Sequence, residues 1–437
     1  MVAVILLRHD GKGIGGGHQA VHRVPVESHH LIKARHFILR VGPEQAALLK
    51  EFQEEAARCW NDIVIHARDH YAATRTWVSK GDLQKRLKGG YRLHSQTIQA
   101  LTDKFVSNRQ TAANLRRQGV NVRYPWREKK FLTIPFKQMA IRTGEKGTLV
   151  LSLAAGVSFD TGFVPPASIN TCEILWRRGR YILSWASDYP EAKPLAGIRA
   201  GADIGEIHPV AVCDEQGSGL VVSGREVRSI KRLRNKSLAW FSNALSRCKK
   251  GSRRWRKLIA AKGRMKSTSD SRVRDLLHKA TRKAIDFCVT NNISELVIGN
   301  PAGVEKDTKK KRRLSRKSRQ KVSQMEFGTI KRYLRYKAHE AGIASCLTDE
   351  EGTSSDCPAC GCKNHPTGRT YLCGQCGFTA HRDGKAGFMM LRKRHFDIAL
   401  PDGFVFSHVQ SIPKYRKRVL PACVDGPDVA PSSLAIA

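Results

Sequence analysis

The 437-residue chain carries 77 Lys+Arg against 38 Asp+Glu, a formal net charge of +39, and 41% of its residues are hydrophobic. Such a surplus implies a polyanionic partner, nucleic acid first, with a ribosomal-type scaffold or a membrane-surface protein as the alternatives, and the length can fill roughly two to three cores. A membrane-spanning or exported protein is not expected: residues 2–7 are too short for a signal core, and no other stretch approaches ~18 apolar residues.

Residues 1–30, rich in Gly and His, read as a flexible basic leader. Gly11-Lys12-Gly13-Ile14-Gly15-Gly16-Gly17 lacks the Gly-Lys-Ser/Thr ending of a phosphate loop. A short strand is expected over 36–41. From 43 to 118 the pattern turns helical, with Leu48, Leu49, Phe52, Ala56, Cys59, Trp60, Ile63 and Val64 recurring at three- and four-residue spacing. Residues 119–195 change to short β-rich runs separated by Gly, Pro and Asp, which with 31–42 read as a small β-barrel or sandwich. The opening segment of that region interleaves cations with aromatics. Its Tyr124, Trp126 and Arg127 are candidate nucleic-acid contacts, a solvated loop being the alternative.

A third pattern starts near Pro194. Strands over 198–204, 209–213 and 220–222 precede a basic helical stretch over 226–266 and an amphipathic helix through Val273, Leu276, Leu277, Ala280, Ala284 and Cys288. A strand at 295–299, a cationic run over 306–321, a helix over 324–341, a strand at 343–347 and a last helix over 383–394 follow. Three strands, helix, strand, helix, strand, helix is the order of an RNase H-type α/β fold, expected over 196–347 and 381–398. Lys249, Lys250, Arg253, Arg254 and Arg256, with Lys309, Lys310, Lys311, Arg312 and Arg313, are candidate phosphate contacts. The tail over 399–437, rich in Pro, Gly and Ser, reads as loose.

Inserted at 348–380 are two Cys-x-x-Cys knuckles, Cys357/Cys360 and Cys373/Cys376. Their spacing can close one tetrahedral thiolate site around Zn²⁺, and the intervening glycines and proline suit the turns of a zinc ribbon. Cys362 lies close enough to compete as a ligand. The other cysteines lack framework spacing and read as reduced thiols of a cytosolic compartment.

In an open α/β sheet, functional groups gather at the carboxyl ends of the strands. Asp203 sits near such an end, and Asp383 opens the last helix, which in this order packs back toward the first strand. Carboxylates held there can share Mg²⁺, and paired cations activate water in phosphodiester hydrolysis. A third acid is expected on the strand at 295–299, but that strand ends in Gly299-Asn300-Pro301. Glu295 enters at the wrong end, and Glu305 lies beyond a turn. Glu350, just after the strand at 343–347, can reach inward over Gly299 across ~4.8 Å of strand spacing. Glu351 and the shorter Asp349 compete with it, and an exposed acidic turn is the plainer alternative.

These residues together resemble the TnpB (OrfB) family of transposon-encoded RNA-guided nucleases and their relatives, the compact type V CRISPR effectors. The likeness covers about 32–420 and rests on Gly201-Ala202-Asp203-Ile204-Gly205, Tyr336-Lys337-Ala338 with Gly342-Ile343, Thr353-Ser354-Ser355-Asp356-Cys357-Pro358-Ala359-Cys360-Gly361, and Cys373-Gly374-Gln375-Cys376-Gly377-Phe378 with His381-Arg382-Asp383. It implies a multidomain α/β protein: a helical recognition domain (43–118), a wedge-like β-barrel (31–42 and 119–195), and an RNase H-like RuvC nuclease core with an inserted zinc ribbon. It further implies an Mg²⁺-dependent triad of Asp203, Glu350 and Asp383, a guide RNA, cleavage of double-stranded target DNA beside a short flanking motif, and a prokaryotic cytoplasmic location at the nucleoid. Where many members read Ile-Glu-Asp this chain reads Ile298-Gly299-Asn300, as in a subset whose glutamate has moved to where Glu350 stands. Asp383 is followed by Gly384-Lys385-Ala386-Gly387 rather than the frequent x-Asn-Ala. A nuclease-silent RNA-guided repressor and a DNA-joining transposase are the competing expectations.

Overall fold

The computed structural model describes residues 32–166, 169–177, 179–188, 192–301, 315–365 and 368–411. The basic leader, Glu305, Lys309, Lys310, Lys311, Arg312, Arg313 and the tail beyond 411 lie outside the described residues. The chain divides into two units, 1–191 and 192–437.

In the first unit, strand β1 (Ile32–Ile38) leads into helix α1 (Pro43–Thr74). Pro43 pre-sets the first helical turn, and the Gln45 side chain accepts from Gly42 N–H at 3.1 Å, closing an end that would otherwise leave donors unpaired. Leu49, Phe52, Ala56, Cys59, Trp60, Ile63, Val64 and Ala67 form its buried stripe. Helices α2 (Lys80–Leu87) and α3 (Ser95–Arg117) follow. Strands β2 (Ile134–Lys137), β3 (Ile141–Thr143), β4 (Leu149–Ala154), β5 (Val157–Asp160), β6 (Thr171–Arg177) and β7 (Arg180–Asp188) build two antiparallel sheets, ordered β1-β7-β6-β2 and β3-β4-β5. One buried cluster runs from Leu49 and Phe105 on the helices to Ile134, Leu151 and Leu183 on the strands. The helical segment and the β segment therefore share a core rather than owning one each.

The second unit is built on a six-stranded sheet. Strands β8 (Ile198–Asp203), β9 (Val210–Asp214) and β10 (Ser218–Ser223) form an antiparallel meander, and helices α4 (Arg225–Ser246) and α5 (Arg253–Thr290) make a hairpin after it. Strand β11 (Ile293–Gly299), helices α6 (Arg316–Ser323) and α7 (Phe327–Glu340) and strand β12 (Ala344–Thr348) follow. A small hairpin, β13 (Thr370–Leu372) and β14 (Thr379–His381), leads into helix α8 (Arg382–Arg394), and β15 (Val405–Gln410) comes last. The sheet order is β12-β11-β8-β9-β10-β15, with β11 parallel to both β8 and β12. Ala200, Ala202, Val212, Leu296, Val297 and Ile298 are fully buried, as the apolar runs of central strands require. Helix α8 lies so close to β8 that a Cβ on Gly201 would strike the Gly387 carbonyl.

Two expectations are corrected. The tail is not loose from 399: residues 405–410 pair in parallel with β10, and Phe406 lays its ring against Gly219 and Gly384. Pro, Gly and Ser punctuate that region, yet an open sheet edge supplies the backbone partners a short apolar run needs. The helical stretch expected over 226–266 is also divided differently: Gly251, at φ 85°, and the Ser252 cap end one helix and start the next, whereas the helix expected over 324–341 is found as α7. Among the described residues no helix is long and apolar enough to cross a membrane.

Candidate active site and metal centre

Three acids converge at one end of the six-stranded sheet. Asp203 is the last residue of β8, and Asp383 sits in the first turn of α8, whose N-terminus is capped by His381 Nδ1 accepting from Gly384 N–H at 3.3 Å. Glu350 follows β12 by two residues. Asn300 N–H donates to the Thr348 carbonyl at 2.8 Å, so the ends of β11 and β12 stay in register up to that point. The Glu350 carboxylate then folds back over the Cα of Gly299, where a Cβ would collide with Oε1 and with the Met390 sulfur. The absence of a side chain at Gly299 creates the space that the glutamate of the neighbouring strand fills.

The neighbours that could be confused with Glu350 go elsewhere. Asp349 points to solvent and pairs with Lys393 at 3.5 Å. Glu351 is exposed and donates its N–H to Asp349 Oδ2 at 2.9 Å. Glu295, at the other end of β11, lies 3.1 Å from His395 Nε2.

The electrostatics separate the three carboxyls. Burial, then the charges of Asp383 and Glu350, push Asp203 well above the ordinary carboxylate range. Burial lifts Glu350 to about 7 against the pull of Lys331, and its Oε1 is buried without a hydrogen-bond partner among the described residues. Asp383 is also raised by burial, but the His208 hydrogen bond and the charge of Arg369 more than offset this and leave it below its usual value. His208 Nδ1 stands 2.6 Å from Asp383 Oδ2, and Arg369 Nη1 donates to both oxygens at 3.1 and 3.3 Å. The charges of Asp383 and Glu350 thus raise the proton affinity of Asp203, an effect that a shared cation would relieve.

His208 and Arg369 were missed by sequence reasoning. A histidine in the six-residue turn that follows Asp203 is a signal that could have been read. Arg369 carries none, being one cation among 77 Lys+Arg.

The ribbon forms a second centre. The Sγ atoms of Cys357, Cys360, Cys373 and Cys376 all lie within 4.8 Å of one another, an arrangement that could hold a metal ion. Both knuckles are built alike. Gly361 and Gly377, at φ 74° and 72°, each donate N–H to the carbonyl of the first cysteine at 3.0 Å. Backbone donation from Cys376 pulls the Cys373 thiol down to about 5. Cys362 Sγ is 3.1 Å from Cys373 Sγ and 3.2 Å from Cys360 Sγ, beside the four.

Lys249, Lys250, Arg253, Arg254 and Arg256 are all exposed around the α4–α5 turn, with no acidic partner among the described residues. In the first unit, Tyr124 and Trp126 are used internally: Trp126 stacks on Trp77 at 5.2 Å and Arg116 covers the Tyr124 ring at 5.2 Å. Arg127 keeps an exposed side chain, while its carbonyl accepts from Trp60 Nε1 at 3.2 Å.

Comparison with known proteins adds to this geometry. Residues 183–305 match the OrfB_IS605 family model, described as a probable transposase, and residues 327–389 match the Cas12f1-like TNB domain. A TnpB-like protein of Methanocaldococcus jannaschii is 25% identical over 185 residues, 42% of this chain and 64% of the relative, so the chain spans less than two thirds of that relative's length. The cryo-EM structure of a Cas12f1–sgRNA–target DNA complex shares the fold with a TM-score of 0.55 at 13% identity, covering 80% of this chain and 83% of that one. Two family matches and a TnpB-like relative show that the second unit is similar to the TnpB (OrfB) family and to the compact type V effectors.

Proposed function

We propose that the protein is an RNA-guided DNA endonuclease that cuts double-stranded target DNA beside a short flanking motif, with residues 196–347 and 381–398 as a RuvC-like core, 348–380 as a zinc ribbon, 31–42 and 119–195 as a wedge-like barrel and 43–118 as the recognition domain. The observation that carries the reading is the Glu350 carboxylate lying over Gly299, which gives the sheet end the third acid its own strand lacks. Guide RNA supplies sequence by base pairing, and the cationic chain grips backbones. The work takes place in a prokaryotic cytoplasm, at the nucleoid when DNA is bound.

The donor set fits magnesium: three carboxylates, hard oxygen ligands, one with a buried oxygen that accepts no hydrogen bond among the described residues. Asp203, Glu350 and Asp383 would hold it, and when bound it would supply an activated water and charge neutralisation at the phosphate. The chain's own residues do the positioning. Asp203 is fixed by the end of a buried strand. Asp383 is oriented by His208 and Arg369, and the guanidinium charge of Arg369 beside the acids suits a phosphate. Met390 and Gly299 shield the inner Glu350 oxygen from water. In the ribbon, Cys357, Cys360, Cys373 and Cys376 would hold one structural zinc.

The test is cleavage of a guide-matched DNA by Glu350→Ala and Asp203→Ala. Each should lose at least about 10²-fold in rate, the scale of removing one electrostatic stabiliser from an active site, with guide and target binding retained. If Glu350→Ala cuts at the parental rate while Asp203→Ala is inactive, the second acid is misassigned. If the parental protein binds guided targets and never cuts them in Mg²⁺ or Mn²⁺, a repressor replaces the nuclease.

A further inference from the structure

The two knuckles of the ribbon repeat one backbone design. Cys357 N–H donates to the Cys362 carbonyl and Cys373 N–H to the Phe378 carbonyl, each at 2.9 Å. Each acceptor directly follows a positive-φ glycine, Gly361 or Gly377. The fold therefore asks position 362 for a carbonyl and for no particular side chain. The second knuckle puts a ring at the matching place, and Phe378 packs beside Tyr371 at 6.2 Å and Phe404 at 5.6 Å. The first knuckle puts a thiol there, half-buried, with Sγ 3.2 Å from Cys360 Sγ and 3.1 Å from Cys373 Sγ. Asn364 Nδ2 donates to it at 3.1 Å, and the Oδ1 of that amide accepts from Gly374 N–H at 3.1 Å, which fixes its direction. Four thiolates at about 2.3 Å from one tetrahedral zinc stand about 3.8 Å apart. Cys357 with Cys376, and Cys360 with Cys373, come close to that spacing at 3.6 Å each. Cys362 is nearer than that to two of the four. It lies against the edge between Cys360 and Cys373 rather than at a corner, a fifth thiol that the four-cysteine set does not need.

A spare thiol at that place has a chemistry open to it. Of its two sulfur neighbours, Cys360 is exposed and Cys373 is buried. Only Gly361 separates Cys360 from Cys362 in the chain. A disulfide between them needs the sulfurs to close from 3.2 Å to about 2.05 Å. We propose that Cys362 is the resolving thiol of a peroxide-driven disulfide with Cys360, whose formation makes the ribbon give up its zinc. The Cys360 thiolate attacks hydrogen peroxide; the O–O bond breaks, sulfur keeps one oxygen as a sulfenic acid, and hydroxide leaves. The Cys362 thiolate then attacks that sulfur. The S–S bond forms, the S–O bond breaks, and a second hydroxide leaves. With the two thiol protons added to the hydroxides, two thiols have lost two electrons and one peroxide has become two waters. The zinc site is left with three of its four thiolates. The knuckle that opens is the one whose Asp356 and Pro358 carbonyls accept from Lys385 and Arg392 of α8, so the change reaches the helix that carries Asp383. Loss of metal rests on the reading of the four cysteines as a zinc site; the disulfide does not.

The test treats the full-length protein with hydrogen peroxide, follows released zinc with a chromogenic chelator, and maps the thiols by alkylation and peptide mass spectrometry. The parental protein should release its zinc, yield a peptide joining Cys360 to Cys362, and take zinc back after a thiol reductant. Cys362→Ser should bind zinc and melt as the parental protein does, and should form no such peptide. It should lose zinc at least about tenfold more slowly, since the closing step is no longer intramolecular. Its Cys360 should pass on to the sulfinic acid, which the reductant does not reverse, so its zinc is not regained. Cys248→Ser, outside the ribbon, should behave as the parental protein in every measurement. A parental protein that sheds zinc while Cys362 stays a free thiol overturns the proposal, as does a Cys362→Ser protein that sheds and regains zinc as the parental one does. A Cys362→Ser protein that binds no zinc makes Cys362 a metal ligand and overturns it too. If the parental protein holds no zinc before treatment, the zinc reading falls, and the joined peptide or a free Cys362 decides the disulfide by itself.

Discussion

Glu350 and Gly299 form a complementary pair, one residue supplying a carboxylate and the other the space beneath it. Replacing Gly299 with Ala puts a Cβ against Oε1 of Glu350 and within 2.6 Å of the Met390 sulfur, in a place where Met390 is fully buried. Overpacking of this kind costs about 1–3 kcal/mol. Gly299→Ala should therefore lower the melting temperature and, by displacing the carboxylate, slow cleavage. A double-mutant cycle with Glu350→Ala should recover part of the stability loss. Additivity of the two changes to within about 0.5 kcal/mol would show that the residues do not touch. This pairing was partly legible in the sequence, because the strand's ending in Gly-Asn-Pro left a vacancy and a glutamate is long enough to cross one strand spacing. The grip of His208 on Asp383 was not, since the two are 175 positions apart and meet only once α8 has packed on β8.

Among the elements, the ribbon does more than close on itself. Lys385, fully buried, donates to the Asp356 carbonyl at 2.8 Å, and Arg392 donates to the Pro358 carbonyl at 2.7 Å, so α8 holds the first knuckle with two cations. Thr353 Oγ1 donates to the Glu350 carbonyl at 2.8 Å, tying the acid to the start of the ribbon. Cys357→Ala should abolish bound zinc, open 348–380 to limited proteolysis and slow cleavage through these ties, because structural zinc contributes folding energy directly. Cys362→Ala should keep the metal. Elemental analysis and a protease time course decide both; a folded protein without zinc would sink the assignment. The knuckle spacing made this centre readable in advance. Strand β15 was not readable, because its partner is the edge of β10 and its own composition resembles that of the residues around it.

At the scale of the whole molecule, a net charge of +39 sets a field that no single site explains. The protein purified at low salt should carry RNA, seen as excess absorbance at 260 nm, and should release it near 1 M salt, where the screening length falls to about 3 Å. Sequencing that RNA would identify the guide, and a preparation free of nucleic acid at low salt would contradict the reading. Composition alone announced this charge. The sheet also has a history in time. Strand β10 ends at Ser223 and its parallel partner β15 begins at Val405. At ribosomal rates of about 5–20 residues per second, the edge of β10 waits roughly 10 to 40 s for its cover. During that interval an unpaired row of backbone donors and acceptors flanks Leu220 and Val222, both buried in the finished sheet, and it is open to any extended chain nearby. The nascent protein is most vulnerable to mispairing and aggregation in that window, and synthesis of the last described strand ends it.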